Sequence, residues 1–373
     1  RRPRQRHLFL EQTSCLLLCL FLSSSLFAQL SIQEEVVVTG HAAPVPFENL
    51  ARSIRVISRQ EIEELPVQSI SDLLRYASGV EVSSRGPFGS QTDLSIRGST
   101  FEQVLIMVDG IPMNSSQTGH HNGDFPLSLQ DVERVEILLG SGSSIHGANA
   151  LGGAVNLVTR TDAGGPIEMQ ASVGQFGLVS ASARMPLARR RPLQSVSAWI
   201  ERSSGFRFNR DFKNAGVRIH GAPNDRLRFQ VAHLSRDFGA DQFYGPSPSR
   251  ESTDQTLLSL KSSLLQEESW KLDAQAAYRS HGDRFVWDLR RPNLVRNDHR
   301  EHSIDGKAVL TWRAAEARRI TLGVAAGQDW LRSSNLGTRQ IEQQSIFFEG
   351  EQKLGERIRV FPGFRYDRYG AIG

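Results

Sequence analysis

The chain has 373 residues, 39% hydrophobic and 23% charged, with 44 Lys and Arg against 40 Asp and Glu for a formal net charge of +4. That length suffices for two domains. Residues 1–28 hold four Arg and one Glu, leaving 40 basic and 39 acidic residues beyond them, so a pI near 9.3 is poor evidence for nucleic-acid binding and none is expected. Both cysteines, Cys15 and Cys19, fall in the same stretch, and zinc, disulfide and thiol chemistry are not expected in the remainder.

In chain order, "RRPRQRH" is basic and "CLLLCLFLSSSLFA" (Cys15 to Ala28) is apolar with a small residue at its end. This is the layout of a secretory signal peptide over 1–28, cleaved after Ala28. The apolar run is short for a bilayer span, which weighs against an uncleaved anchor. Residues 29–50 carry "EEVVVTG" (Glu34 to Gly40), a β-branched segment between polar and Pro-rich sequence. It suits addition to the sheet edge of a partner. An ordinary first strand of the next domain is the alternative.

Residues 51–160 read as one compact α/β domain. "SIRVIS" is a strand. "SRQEIEELP" starts a helix with Ser58 as N-cap and Glu61 at the capping-box position. "SISDLLRYASGV" gives a second helix, capped by Ser69 or Ser71 and stopped at Gly79. "TDLSIRG" and "QVLIMVDGIPM" are strands, the second ending in an Asp-Gly turn. "SLQDVERVEILLG" adds a helical turn and a strand, and short helices on a small mixed sheet fit this order.

The stretch "VERVEILLGSGSSIHGANALGGAVNLVT" (Val132 to Thr159) raises a nucleotide reading through Gly140 and Gly142. A dinucleotide turn needs a third glycine where Ile145 stands, and no Lys-Ser/Thr pair completes a P-loop. The glycines are therefore assigned to tight turns between two strands.

From about Ile167 the texture changes to ten-residue segments of alternating polarity. In "WKLDAQAAYR", Trp270, Leu272, Ala274, Ala276 and Tyr278 share one face, and Lys271, Asp273, Gln275 and Arg279 the other. "IDGKAVLTW" and "ITLGVAAGQDW" repeat the pattern. Short and long connections alternate, and about eleven strands are expected in an antiparallel transmembrane β-barrel over 161–373, apolar outside and polar inside. A soluble β-sandwich also alternates, but lacks that loop rhythm.

Between Glu34 and Arg160, "EEVVVTG", "SISDLLRYASGVEV", "LSIRGS", "VLIMVDGIPMN" and "VERVEILLGSGSSIHGANALGGAVNLVTR" stand in succession. In order and spacing they resemble the signatures of TonB-dependent outer-membrane receptors, cobalamin-receptor branch. The sequence departs from the family at "LGS" (Leu139 to Ser141) and at His146. The resemblance implies an α+β plug domain (51–160) followed by about half of a barrel of roughly 22 strands, whose wide lumen a plug must fill. It also implies a function, energised import of a scarce bulky nutrient such as cobalamin or a ferric siderophore. Glu35, Val36, Val37, Val38 and Thr39 become a TonB box. The partners become TonB with its inner-membrane energising complex, the ligand and the lipid of a Gram-negative outer membrane. A haem receptor is the alternative substrate reading. A passive porin is the alternative class, disfavoured by the plug and the box.

The apical plug loops "SRGPFGSQ" and "NSSQTGHHNGD" match ligand-contacting loops of that branch. Arg85, Phe88, Ser90, Gln91, Asn114, Gln117, His120, His121 and Asp124 are nominated there. Adjacent residues on an extended chain point opposite ways, so His120 and His121 are read as surface residues and no metal or other cofactor is expected. No nucleophile motif stands in its required context, and the chain is read as no enzyme. The missing initial Met and the strand under way at "FRYDRYGAIG" lead to the expectation of a partial chain. Its sheet would be open, with edges near Ile167 and near Arg359 to Tyr366.

Overall fold

The computed structural model describes residues 36–37, 42, 45–46, 52–88, 90–187, 192–315, 318–355 and 358–370. The signal segment, and Glu35, Val38 and Thr39 of the proposed box, lie outside them. Val36–Val37 (β1) and Val45–Pro46 (β2) are short strands.

The plug begins at β3 (Ile54–Ile57). Ser58 then caps α1 (Arg59–Glu64): its side chain accepts from the Glu61 N–H while Glu61 accepts from the Ser58 N–H, the reciprocal box that the sequence suggests. Ser69, not Ser71, caps α2 (Ile70–Leu74), and Ser71 is buried beneath it. This helix stops at Leu74, short of Gly79, which takes φ +85° in the turn into the next strand.

The hairpin β4 (Val80–Ser84) and β5 (Thr92–Ile96) follows. Next come β6 (Val104–Val108), β7 (Ile111–Pro112), β8 (Val132–Leu139) and β9 (Gly153–Thr159). They form a sheet in the order β3-β8-β9-β6-β7, parallel only between β6 and β9. Strand β6 is buried at every position because both its faces are covered. Ile106 and Val108 pack into the main core with Leu73, Leu74, Ile137 and Leu157, while Leu105 and Met107 join Leu138 and Ala154 on the other face.

The glycine loop differs from a plain strand–turn–strand. It holds a one-turn helix, α3 (Ser143–His146), between Gly142 and a Gly147 at φ +89°. Entry into β9 needs glycine: Gly153 has φ +151°, and a Cβ there would lie 2.4 Å from the Leu138 carbonyl oxygen. Gly153→Ala is expected to destabilise the plug by about 2–4 kcal/mol through backbone strain and overpacking. A lower urea concentration for tryptic cleavage of the plug, with the barrel still resistant, is the readout.

The second sheet contains β10 (Glu168–Gly174), β11 (Leu178–Pro186), β12 (Leu193–Ser203), β13 (Phe212–Asn224), β14 (Leu227–Gly239) and β15 (Arg250–Gln266). It continues through β16 (Trp270–Val286), β17 (Arg296–Ala315), β18 (Arg318–Ser333), β19 (Gly337–Leu354), β20 (Ile358–Val360) and β21 (Gly363–Tyr369). These strands pair antiparallel in sequence order. β20 and β21 both pair with β19, so they are two pieces of one interrupted strand and the count agrees with about eleven. Among the described residues the sheet is open, and β10 and β21 are not joined.

Period two sorts the faces. Val231, Leu258, Leu260, Ile304, Leu322, Val324 and Ile346 are exposed on the outside. Trp270 stacks on its cross-strand neighbour Trp312 at 5.9 Å beside a short turn, as an interfacial aromatic girdle does. Inward positions are largely polar, among them Arg218, Gln230, Lys261, Arg279 and Glu301, and they meet the plug.

Candidate functional site

At the ends of the strands that carry the longer connections, two plug loops meet the inner wall and form two chemically different halves. The first is built on the β4–β5 turn. Arg85 N–H donates to the Gln91 carbonyl and Gly86 N–H to that of Ser90, so the hairpin extends into the loop. The Arg85 guanidinium stands 5.0 Å from the Tyr244 ring and hydrogen-bonds the Phe243 carbonyl; Arg210 stacks on Phe243 at 4.4 Å. Phe88 lies 5.3 Å from Phe212. Phe212 and Phe243 are buried in one cluster with Phe238, so the groups this half exposes are Arg85 and the Tyr244 ring, with Phe88 and Arg210 at its edge.

The second half is built on the segment from Asn114 to Asp124. Ser115 and Ser116 both donate to Glu301, and Gln117 Nε2 donates to Asp283 Oδ2 at 3.0 Å. Arg279 Nη2 donates to the Asn114 carbonyl at 2.8 Å and to Glu301 at 3.0 Å. Gly119–His121 forms a 3-10 turn rather than extended chain. The two histidines still diverge. Half-buried His120 stacks on Phe101 at 4.9 Å and bonds Asp93 at 3.0 Å.

His121 corrects the surface reading, because it is 6% exposed. Its Nε2 lies 3.3 Å from Glu251 Oε1 and 3.5 Å from Asp283 Oδ2, and its Nδ1 lies 3.9 Å from Asp124 Oδ2. Burial alone would push this imidazole down; its hydrogen bond with Asp283 and the charges of Glu251, Asp124 and Asp283 outweigh that and raise it to about 9. Asp124 accepts from Arg236 at 3.0 Å and faces His281 at 3.3 Å. Burial would raise its carboxyl, but the Arg236 guanidinium and the two imidazoles hold it far below the ordinary range.

The nominated residues thus divide. Arg85, Phe88, Gln117 and His120 border the aromatic and acidic halves. Ser90 and Gln91 are buried, Ser90 bonding the Pro87 carbonyl and Gln91 the Tyr244 hydroxyl. The Asn114 amide is spent on β6, accepting from Ile106 N–H at 2.8 Å and donating to the Val104 carbonyl at 2.9 Å. These three shape the loops; their side chains do not present themselves to a ligand. His121 and Asp124 join His281, Glu251 and Asp283 in a buried set whose ligand atoms fall into two triads, each within 4.8 Å. The confinement of both cysteines to residues 1–28 argues against thiolate sites beyond them but not against such His–carboxylate sets.

Residues 46–154 match the family model "TonB-dependent Receptor Plug Domain". The chain is 26% identical over 350 residues to the vitamin B12 transporter BtuB of Photobacterium profundum, covering 87% of this chain and 55% of that relative. Against the vitamin B12 transporter BtuB of Vibrio vulnificus, identity is 37% over 131 residues, 35% of this chain and 21% of the relative. The chain therefore spans about half the length of the first curated relative and about a fifth of the second. The siderophore receptor PiuA from Acinetobacter baumannii superposes with a TM-score of 0.71 at 16% identity, over 90% of this chain and 60% of that one. The alcaligin outer-membrane receptor FauA from Bordetella pertussis gives 0.69 at 17%, over 90% and 58%. At those identities the likeness is one of fold.

Proposed function

We propose, for a chain of the TonB-dependent receptor type with a cobalamin-receptor-like plug, that it works in the outer membrane of a Gram-negative bacterium in the energised import of a scarce bulky nutrient. The observation that carries this reading is a folded plug bound through polar contacts to the inner face of an apolar-backed sheet. A passive pore has no use for a domain that occupies its lumen. The relatives are transporters, and the chain is read as a binder and carrier, not a catalyst.

Cobalamin is the first candidate ligand because both curated relatives are vitamin B12 transporters. On the apical face the exposed Arg85 guanidinium and Tyr244 ring supply a donor and a stacking face of the kind a corrin-sized ligand can use. Energy reaches the site through residues 35–39, which add as a strand to the edge of TonB. Equilibrium binding of cyanocobalamin, ferric siderophores and haem to outer membranes containing the receptor is the decisive measurement. Tight binding of cobalamin alone is expected; tight binding of a ferric siderophore or of haem instead would replace the ligand but keep the class, and equal leakage of all small solutes would restore the porin.

Replacing Ser115 to Thr118 by two glycines removes the contacts to Glu301 and Asp283. Ligand affinity is expected to fall by about tenfold or more, roughly 1.4 kcal/mol, with the barrel still resistant to heat in detergent. Unchanged affinity would move the site to the outer loops.

A further inference from the structure

The set formed by His121, Glu251 and Asp283 has more buried negative charge than its fixed cations balance. Asp124, Glu251 and Asp283 lie together, 5%, 2% and 6% exposed. Among the described residues, Arg236 is the one fixed cation bonded within this group, through Asp124. Buried carboxylates without partners are costly. Yet among the described residues Glu251 Oε2 and Asp283 Oδ1 have no hydrogen-bond partner, and neither does His281 Nδ1 beside them.

Two of the three spacings, both from His121 Nε2, suit ligands that share one ion. A charge-assisted N–H···O contact is about 2.7–2.9 Å. His121 Nε2 stands 3.3 Å from Glu251 Oε1 and 3.5 Å from Asp283 Oδ2. Ligands about 2.1 Å from a tetrahedral metal are separated by about 3.4 Å. We infer that His121, Glu251 and Asp283 form a site for a divalent first-row transition ion, which clasps the apical turn of the plug to β15 and β16 of the barrel.

One imidazole and two carboxylates suit Zn2+ and its neighbours; Ca2+ and Mg2+ prefer an all-oxygen shell. Three protein ligands leave a position open for water or for a donor atom of cargo. Gln117 Nε2, bonded to Asp283 Oδ2, orients that carboxylate from the plug side. The site ties three segments far apart in sequence, and its occupancy is independent of which nutrient the receptor carries.

The test uses the intact receptor, purified in detergent and stripped with a chelator. Calorimetric titration with Zn2+ is expected to show one tight site per chain that equimolar Ca2+ does not occupy. Co2+ in its place is expected to give the visible bands of a site of low coordination number. Glu251→Gln with Asp283→Asn is expected to weaken Zn2+ at least 100-fold. Asp254→Asn, on the outward face of β15 and paired with Arg300, is expected to change nothing. No Zn2+ uptake by the wild type, or equal uptake by the double variant, overturns the site. If the double variant does not reach the membrane, His121→Gln decides: loss of Zn2+ with a heat-resistant barrel supports the clasp, and unchanged binding overturns it.

Discussion

A receptor carrying Val37→Pro is expected to bind its ligand with wild-type affinity and to transport at least tenfold less of it. Val37 lies in strand β1, and strand addition needs its N–H or the φ freedom of its neighbours. Proline removes the donor and restricts the residue before it. The described chain just beyond it touches the barrel at Ala42, whose N–H donates to Glu349 Oε2 at 2.8 Å. Glu349 pairs with Thr321 near the short-turn end of β18, whereas the apical loops meet the opposite strand ends. Binding and energising are thus expected to be separable by a single residue. Normal uptake by this variant would remove residues 35–39 from the coupling.

Asp109→Ala is expected to weaken plug docking by about 3–5 kcal/mol, the usual cost of stripping one partner from a buried charged pair. Asp109 sits in the Asp-Gly turn at φ +52°. Its carboxylate accepts from the N–H and hydroxyl of Thr159, at 2.9 and 2.7 Å, and from Gln230 of the barrel at 3.3 Å. Lys261 bonds its carbonyl. Burial would raise the carboxyl; the Lys261 charge, the Thr159 bonds and the Arg218 charge outweigh it and hold it below its ordinary value. Alanine leaves Lys261 buried without that anion and also loses a residue type that tolerates positive φ. The readouts are faster proteolysis of the plug in situ and entry of large antibiotics normally excluded. Asp109→Asn, which keeps the turn and the bond from the Thr159 N–H, is expected to show a smaller effect, and equal behaviour of the two would refute the charge argument.

Local chemistry was legible in the sequence. The Ser58–Glu61 box, the Asp109–Gly110 turn and the inward and outward registers of β16 to β18 each depend on residues within a few positions of one another. The one-turn helix α3 was missed because four residues carry too little period to read. The divergence of His120 and His121 was foreseen, but their fates were not. Partners for His121 lie on β15 and β16, 130 and 162 positions away. Nothing local marks Glu251 or Asp283 as more than polar lumen residues in an alternating strand. Asn114 and Gln91 were legible as apical and illegible as already bonded, since hydrogen-bond satisfaction is a property of the assembled loops.

The order of strands in the plug sheet, β3-β8-β9-β6-β7, gives a tug at the N-terminal side a definite route. Strand β3 is both the first in the chain and an outermost member, held by four register pairs to β8 and by Arg52 bonds to Ser141 and Ser144. It is therefore the piece that a tensile load reaches first and detaches with least damage. The middle strand, β9, is the last of the sheet along the chain and runs on toward β10. Tension entering on the N-terminal side would strip β3 from the rim first, while the strand covalently nearest the barrel, β9, stayed behind as the template on which the others re-form.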